Sequence, residues 1–326
     1  MADITAIRME ATGGPEVIEV RDVPLPEPGE GQIRLRHDAV GVNYIDTYHR
    51  TGLYPVPLPS GLGLEAAGTV EAVGPGVTGW AEGDRAAYCS GPIGAYAQAH
   101  VIAADRGVKL PDGIGADMAA SMMLKGLTVQ YLIRRIWQTK AGDTVLFHAG
   151  AGGVGQIAVQ WLKALGATVI ATAGGPEKCA LVAALGADHV IDYRAEEIAP
   201  RVREITGGEG VPVVFDGVGK DTFLASLDSL KMRGLFVSFG NASGPVTGVD
   251  LGIFAAKGGL FMTRPSLVHY TATREELQGG ADDLFAAVAA GHVTIAPPTV
   301  YPLAEAAEAH RALEGRRTTG SLILRP

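Results

Sequence analysis

Three glycines in the stretch GAGGVG have a spacing that suits the binding of a phosphate chain. Gly150, Gly152 and Gly155 match the pattern G-x-G-x-x-G. A predicted buried strand at 145–148 precedes them and the amphipathic segment GQIAVQWLKALG follows, so the loop joins a strand to a predicted helix. In that setting, backbone N–H groups at the helix start can approach a pyrophosphate. Because a chain with 45 glycines produces this pattern by chance, the flanking elements are what predict dinucleotide binding.

The end of the next predicted strand bears on which dinucleotide is bound. Loops of this kind that bind NAD place a carboxylate about 20 residues further on, where it holds the ribose 2′-hydroxyl. In this chain Ala173, Gly174 and Gly175 occupy that place, and Lys178 follows. A cation without a carboxylate suits a 2′-phosphate, so the sequence predicts NADPH rather than NADH. The alternative interpretation of Lys178 is a solvated lysine at a helix start.

Length and composition limit the classes of protein to consider. The 326 residues, 47% of them hydrophobic and 19% charged, suffice for two globular domains. Cys89 and Cys179 are the only cysteines and form no pair at zinc-ligand spacing, which argues against a disulfide framework or a structural zinc knot. The net charge of −8 argues against a broad surface for nucleic acid. No long apolar run or signal-peptide pattern occurs, which predicts a cytoplasmic protein without membrane association.

The sequence pattern changes twice along the chain. The first third consists of short alternating segments such as GQIRLRHDAVGVN, broken by prolines, and predicts a compact β domain. From residue 119 a helical pattern runs to 137, and strands then alternate with helical segments of about 10 to 15 residues, which predicts a doubly wound parallel sheet. The C-terminal part mixes helices with the closing strand GSLILRP, which can rejoin the first domain. The predicted fold class is α/β.

Motifs spread over the whole length carry a resemblance to a known family. They are GGPEVIEV, GVNYIDTYHRTGLYP, PSGLGLEAAGTVEAVGPGV, LKGLTVQYLIRR, HAGAGGVG, VSFGNASGPVTGVDL and TRPSL. In these motifs the chain resembles the zinc-free quinone oxidoreductases, the ζ-crystallin-like branch of the medium-chain dehydrogenase/reductase superfamily. The resemblance implies a GroES-like, β-rich catalytic domain at 1–123 and 265–326. It also implies a doubly wound Rossmann domain that binds NADPH at 124–264.

Two positions separate this branch from the zinc alcohol dehydrogenases of the superfamily. Those relatives have a Cys where Asn43 lies and a His where Leu64 lies, and only Glu65 is retained here. They also carry a lobe with four closely spaced cysteines that this chain lacks. Thiolate and imidazole are the ligands that suit Zn²⁺, so we predict neither catalytic nor structural zinc. Without a Lewis acid to stabilise an alkoxide, reduction of an electrophilic acceptor is the easier reaction.

The resemblance therefore implies an NADPH-dependent quinone reductase that transfers hydride without zinc. A reductase of enones or other conjugated alkenes is an alternative, because the hydride chemistry is shared and the substrate pocket decides. A non-catalytic, crystallin-type NADPH-binding protein, or one that touches RNA, is an alternative from another class, and the acidic charge disfavours the RNA. Relatives pair their nucleotide sheets edge to edge, which implies a homodimer.

By the resemblance, the motif NYIDTYHRTGLY supplies the catalytic candidates. Asn43 can donate its amide to an acceptor oxygen or to the cofactor carboxamide, and Tyr48 and Tyr54 carry phenols that can donate a hydrogen bond or a proton. Asp46 completes the catalytic set, with a structural hydrogen-bonding role as its alternative. Packing is the alternative for the tyrosines, including Tyr44, which the resemblance places beside the cofactor.

The resemblance also implies a set of cofactor-binding residues. These are Asn43, Tyr44, Thr128, Tyr131, Gly150, Gly152, Gly153, Val154, Gly155, Gly174, Lys178, Tyr193, Phe239, Gly240, Asn241, Arg264 and Arg316. Within this set Tyr193 accompanies Lys178 at the 2′-phosphate, and the segment from Phe239 lies at the carboxyl edge of the sheet, where nicotinamides bind. Helix packing is the alternative for Tyr131, and a surface salt bridge is the alternative for Arg264. We expect His148 to pack under the glycine loop rather than act as a base.

Overall fold

Strands dominate the first part of the chain and alternate with helices in the middle, as the sequence pattern predicts. The computed structural model describes residues 3–315 and 318–326. Its strands are β1 (Asp3–Arg8), β2 (Glu19–Pro24), β3 (Gln32–Val42), β4 (Ala66–Val73), β5 (Arg85–Tyr88), β6 (Ala99–Ala103), β7 (Val108–Lys109), β8 (Thr144–Phe147), β9 (Thr168–Ala173), β10 (His189–Asp192), β11 (Val211–Asp216), β12 (Leu230–Ser238), β13 (Phe261–Thr263), β14 (Thr299–Pro302) and β15 (Leu322–Arg325). Its helices are α1 (Tyr44–Thr51), α2 (Ala116–Gln130), α3 (Gly153–Ala164), α4 (Pro176–Ala184), α5 (Ile198–Ile205), α6 (Phe223–Ser229), α7 (Gly252–Ala256), α8 (Leu267–Tyr270), α9 (Arg274–Ala289) and α10 (Ala306–Glu314).

The first of two units falls in the ranges Met1–Leu127, Thr271–Phe285 and Ile295–Pro326. Its larger sheet has the order β14-β15-β3-β4-β5-β7, with β6 paired to β3, and β1 pairs with β2 in a separate hairpin-like sheet. The strand β15 lies antiparallel to β3, so the C-terminal strand rejoins the N-terminal domain as expected. Alternating side chains of these strands, Ile33 and Leu35 among them, are fully buried and form one core.

The second unit falls in Thr128–Tyr270 and Ala286–Thr294. Within the described residues its sheet has the order β10-β9-β8-β11-β12-β13, and the neighbouring strands are parallel. The central strands read as continuous apolar runs because helices cover both faces, and Leu146, Ile170, Val214 and Phe236 are fully buried. The chain order reverses between β8 and β11, which places the ends of β8, β9 and β11 side by side.

The helix predicted over 119–137 differs from the observed one at its C-terminal end. The α-helix α2 ends at Gln130, and the segment Tyr131–Ile136 continues as a π-helical turn. The turn closes when the Trp137 N–H donates to the Leu132 carbonyl at 3.0 Å, five residues back, and Trp137 itself is extended. Hydrophobic periodicity does not reveal the change from an α-helix to a π-helical turn, because the wider turn still buries Tyr131, Leu132 and Ile133.

Candidate functional site

Asn43 stands between β3 and α1, and the local sequence fixes its position. Its backbone is extended, which is the conformation of a residue that precedes a helix, and α1 follows directly. Asp46, three residues on, accepts a hydrogen bond from the Asn43 backbone N–H through Oδ2 at 2.8 Å. Both side chains are buried. The helix start therefore holds the Asn43 side chain at one place in the first unit.

A buried carboxylate and a buried ammonium lie beside the Asn43 amide. Asn43 Nδ2 donates to Oε2 of Glu65 at 2.7 Å, and the Leu124 backbone N–H donates to Oε1 at 2.7 Å. Lys125 Nζ lies 3.7 Å from Oε2. Burial raises the pKa of Glu65, whereas the charge of Lys125 and the hydrogen bonds from Asn43 and Leu124 lower it. The amide is thus held by an acidic group with which Lys125 forms an ion pair.

A chain of hydrogen bonds runs from Asp46 to a partly exposed residue on α10. Tyr96 donates its phenol proton to Asp46 Oδ2 at 2.9 Å, so the contact of 3.0 Å between Tyr96 and His310 Nε2 makes that nitrogen the donor. Arg50 donates to His310 Nδ1 at 3.1 Å and forms two bonds to the Glu314 carboxylate. Burial lowers the pKa of His310 to about 3, helped by the Arg50 charge. His310 is therefore neutral and transmits no net charge to Asp46.

Asp46 itself is a carboxyl with an unusual pKa. Burial raises its pKa from 3.8 to about 7; the bonds from Asn43 and Tyr96 and the charge of Lys125 oppose this, and the charge of Glu65 adds to it. Among the described residues, Asp46 Oδ1 has no hydrogen-bond partner. Asp46 thus contacts the backbone of Asn43 and orients the start of α1.

The aromatic residues of α1 and the following turn form a cluster. The rings of Tyr48 and Tyr54 meet edge to face at 5.2 Å, and Tyr44 lies 6.4 Å from Tyr48. The Tyr44 phenol donates to the Leu313 carbonyl at 3.1 Å. His49 packs 6.2 Å from Tyr54, and burial lowers its pKa. The structure brings the three tyrosines together, on the same helix and turn as Asn43.

The glycine loop of the second unit has the shape that the pattern predicts. A Cβ on Gly155 would lie 2.3 Å from the Ala149 carbonyl oxygen, and one on Gly150 would meet Val182 at 3.0 Å. A Cβ on Gly152 would meet nothing closer than the Ala149 oxygen at 3.3 Å. The first and third glycines therefore allow close packing, and the second leaves the start of α3 open to a ligand.

A buried polar chain supports this loop from below. Asp216 accepts hydrogen bonds from Ser226 and from the backbone of the following turn, and His148 contacts Ser226 through Nε2 at 3.0 Å and Thr172 through Nδ1 at 3.1 Å. The Thr172 hydroxyl accepts the N–H of Ala149, whose φ of 56° is left-handed. His148 is buried with both nitrogens engaged, so it packs under the loop as expected.

The end of β9 carries no carboxylate of its own. Gly174 lies against the Tyr193 phenol, because a Cβ on Gly174 would fall 2.3 Å from its oxygen. Asp192, at the end of the neighbouring strand, accepts the N–H groups of Gly175 at 2.9 Å and Arg194 at 3.0 Å, which lower its pKa. A Cβ on Gly175 would lie 3.3 Å from Arg194 Nη1, so a second cation approaches this turn. Lys178 follows in the first turn of α4.

The remaining predicted cofactor residues of the second unit lie near the carboxyl ends of its strands. Phe239 follows β12 and packs 5.7 Å from Phe147, and a Cβ on Gly240 would lie 2.4 Å from the Gly217 carbonyl oxygen. Arg264 donates to the Ser238 carbonyl at 2.9 Å. Asn241 follows Gly240 and is half-buried.

The predicted helix residues of this unit are buried. Thr128 is mostly covered, and the Tyr131 ring stacks on Tyr270 with centroids 4.6 Å apart. Burial raises the pKa of Tyr131, and the charge of Arg264 lowers it. Arg316 lies outside the described residues.

Sequence reasoning named Asn43 and Asp46 but missed much of what surrounds them. Glu65 was seen only as a retained residue, and Lys125 was not singled out. One signal was available for Lys125, since it is a single charge within the apolar helical stretch SMMLKGL. No comparable signal marks Tyr96 or His310, whose partners are distant in the sequence.

Two further observations bear on metal and membrane. Across 3–315 and 318–326, no three His, Cys, Asp or Glu side chains group closely enough to hold a metal ion. In the same ranges no helix combines the length and apolarity needed to cross a bilayer.

Comparison with known proteins agrees with the two units. The model of the alcohol dehydrogenase GroES-like domain matches residues 29–112, and the model of the zinc-binding dehydrogenase matches residues 153–287. A β-rich domain of the first kind with a parallel dinucleotide-type sheet defines a medium-chain dehydrogenase/reductase.

Relatives that match the whole chain narrow this class. A quinone oxidoreductase of Pseudomonas aeruginosa is 55% identical over 321 residues, covering 98% of this chain and 99% of the relative. The structure of Escherichia coli quinone oxidoreductase complexed with NADPH has a TM-score of 0.97 at 50% identity, covering 99% of this chain and 100% of the other. A 2-haloacrylate reductase from a Burkholderia species is 45% identical, covering 99% of each chain. The chain belongs to the quinone oxidoreductase family.

Proposed function

We propose that this protein is an NADPH-dependent quinone reductase that works without zinc. The observation that carries the proposal is its full-length similarity to quinone oxidoreductases, of which the Escherichia coli protein was solved with NADPH. The site supports it from two sides. The glycine loop is of the dinucleotide type, and the residues at 43 and 64 are an amide and an alkyl group rather than zinc ligands.

The residues of the second unit fit an NADPH molecule. The open Gly152 at the start of α3 suits the pyrophosphate, and Gly153, Val154 and Gly155 offer the first backbone groups of that helix. At the end of β9, Gly174 leaves room for the Tyr193 phenol. We assign Lys178 and Tyr193 to the 2′-phosphate.

We propose further cofactor contacts in each of the two units. They are Asn43, Tyr44, Thr128, Tyr131, Gly150, Phe239, Gly240, Asn241 and Arg264, with Arg316 as a further phosphate ligand. We propose a catalytic domain at 1–123 and 265–326 and a nucleotide-binding domain at 124–264.

When bound, the reduced nicotinamide supplies a hydride, and a quinone needs one hydride and one proton to become a hydroquinone. The protein's part is to orient the acceptor and to donate hydrogen bonds to the oxygen on which negative charge develops. Asn43 is the proposed amide donor, and the phenols of Tyr48 and Tyr54 are the proposed donors beside it. Asp46 acts through Asn43, because its carboxyl binds the backbone N–H of that residue.

Reduction of a conjugated alkene is the second candidate function. The 45% identity to a 2-haloacrylate reductase favours it, since the chain covers 99% of that relative. Both reactions place a hydride on an electrophilic carbon or oxygen and create a delocalised anion. The shape of the acceptor pocket decides between them.

The acceptor panel that separates these functions uses NADPH consumption as its readout. We expect turnover with 1,4-benzoquinone and 9,10-phenanthrenequinone, with a kcat/KM well above that for enones and 2-haloacrylates. A preference for the alkenes would contradict quinone reduction and support the second candidate. Tight NADPH binding without turnover of any acceptor would contradict both and favour a non-catalytic, crystallin-type protein.

We further propose a cytoplasmic homodimer. The edge strand β13 supports the dimer, because Phe261 and Met262 point to opposite faces of the strand and are both exposed. Fractionation of the native cells, followed by detection of the protein, tests that location.

A further inference from the structure

Lys125 is buried in the first unit in a way that a lysine rarely is. Only 6% of the residue is exposed, and its ammonium has no hydrogen-bond partner within the described residues. Glu65 Oε2 is its ion-pair partner at 3.7 Å, beyond hydrogen-bond distance. A buried ammonium without hydrogen bonds is costly, so the nearby carboxylate of Glu65 is the group that compensates its charge.

The Glu65 carboxylate fills a cradle that is built for it. A Cβ on Gly41 would fall 2.2 Å from Glu65 Oε2 and 2.5 Å from the Ala120 carbonyl oxygen, so only glycine fits there. Glu65 is fully buried and already accepts hydrogen bonds from Asn43 and Leu124. The carboxylate therefore cannot turn away from the Asn43 amide.

Four titratable groups face Glu65 from the packed elements. Lys125 on α2 favours its ionised form, and Asp46 on α1 is a second acid nearby. Tyr96 and Cys89 are neutral neighbours, because burial raises the pKa of each. Within this set Lys125 is the one cation, and together with the hydrogen bonds from Asn43 and Leu124 it favours the ionised form of Glu65.

We propose that Lys125 is a positioning residue for Asn43: its ammonium keeps Glu65 ionised, and the ionised carboxylate fixes which end of the Asn43 amide faces it. An ionised carboxylate only accepts hydrogen bonds, so it holds the NH₂ group of Asn43 on its side. A protonated Glu65 would also offer an O–H donor, to which the amide oxygen can bind after a flip of the amide. The inference rests on the proposed function, in which Asn43 serves the acceptor.

The test compares Lys125→Met with Lys125→Arg and with the double variant Lys125→Met/Glu65→Gln. Lys140→Met, which changes an exposed lysine, is the matched control. Benzoquinone kcat/KM is measured from pH 6 to pH 9, and the NADPH Kd is measured separately by fluorescence titration.

For Lys125→Met we expect benzoquinone kcat/KM at pH 7 to fall by at least about tenfold, with the NADPH Kd changed by less than about twofold. The loss shrinks as the pH rises, because Glu65 ionises at a higher pH once the ammonium is gone. Lys125→Arg retains most of the activity. The double variant shows a loss that varies with pH less than that of Lys125→Met does, since Glu65 no longer titrates and only Asp46 still does so beside Asn43.

If Lys125→Met lowered kcat/KM by the same factor at every pH, the proposal would be contradicted. A double variant whose kcat/KM varied with pH as strongly as that of Lys125→Met would contradict it as well. Unfolding by urea over the same pH range gives a readout without turnover. Relative to the double variant, Lys125→Met must lose stability as the pH rises, because folded Glu65 then holds a proton that the unfolded chain releases. If the parent reduces no quinone, the proposed function fails, and this stability slope still decides the role of Lys125.

Discussion

Asp46 is a buried carboxyl whose ionisation opposes folding at neutral pH. Its folded pKa of about 7 lies above the value of 3.8 for the free group, chiefly because burial disfavours the charge. The folded state therefore binds a proton more tightly than the unfolded chain does. The stabilisation that follows is fully present below pH 3.8 and is lost as the pH rises through 7. Ionisation of Asp46 therefore lowers the free energy of unfolding relative to the protein with Asp46 protonated.

Asp46→Asn should remove this pH dependence. The amide oxygen of Asn still accepts from the Asn43 N–H and the Tyr96 phenol, as Oδ2 of Asp46 does. We expect the free energy of unfolding of the variant to vary less than that of the parent between pH 4 and pH 7, and to equal or exceed it at pH 8. Urea titrations at several pH values measure this. The control Asp38→Asn changes an exposed carboxyl, and a variant at Asp46 with the parent's pH slope would refute the assignment.

Lys178 decides the choice of coenzyme in our proposal. Lys178→Ala should raise the KM for NADPH about tenfold to a hundredfold and leave that for NADH nearly unchanged, because only NADPH carries the 2′-phosphate. Steady-state kinetics with each coenzyme at saturating quinone measures both effects. Equal changes in the two KM values would remove Lys178 from the phosphate site.

At the scale of residues, the sequence allowed prediction of the groups whose motif position carries meaning. Asn43, Asp46 and the tyrosines came from one motif, and the structure brings them together on α1 and its flanks. The sequence did not predict roles for Lys125 and His310, because their contacts are tertiary. Tyr96 and His310 are 214 residues apart in the chain, and no local pattern encodes such a pair.

At the scale of elements, the glycine loop depends on a backbone that admits no side chain at Gly155. Gly155→Ala would drive a Cβ to within 2.3 Å of the Ala149 oxygen and 2.7 Å of the Gly150 Cα, and both obstacles are backbone. We expect the NADPH Kd to rise more than about tenfold and stability to fall by about 1 to 3 kcal/mol. Isothermal titration and urea unfolding measure the two effects.

The control for this loop is Gly279→Ala in α9, where a Cβ meets nothing within 4 Å. Alanine there should stabilise the helix by about 0.5 to 1 kcal/mol and leave NADPH binding unchanged. If Gly155→Ala bound NADPH as the parent does, the loop would not be the pyrophosphate site.

Periodicity predicted most elements because burial follows it. The parallel strands β8 and β9 are mostly apolar, and the helix α3 between them is amphipathic, so both kinds of element were visible in the sequence. The π-helical turn at Tyr131–Ile136 was not predicted, because it changes the hydrogen-bond spacing without changing which side chains are buried. Its tertiary partner, the stacked Tyr270, lies far along the chain.

At the scale of the whole molecule, membership of this family raises the question of whether the protein binds zinc. One matching family model describes zinc-binding dehydrogenases, whereas Asn43 and Leu64 offer neither thiolate nor imidazole. We expect elemental analysis of the purified protein to find no stoichiometric zinc, and chelators to leave turnover intact. One zinc per chain that is lost together with activity would overturn the zinc-free proposal.

The proposed homodimer rests on the exposed edge of the sheet in the second unit. In the described part of the chain β13 is the last strand in the sheet order, and Phe261 is 61% exposed. Met232, on the neighbouring strand β12, is 73% exposed. A second copy that pairs through the same edge would cover these side chains and complete the open ladder.

Phe261→Glu tests this edge. In a two-fold interface the substitution introduces two carboxylates at once, so it should convert a dimer into a monomer at micromolar concentration. Sedimentation velocity of parent and variant measures the change. Leu224→Glu is the control, since Leu224 is 58% exposed on α6 and should leave the dimer intact. A monomeric parent would contradict the homodimer. If the Phe261→Glu variant stayed dimeric, the interface would have to lie on another face of the protein. Pairing through β13 would bury two like charges in that variant.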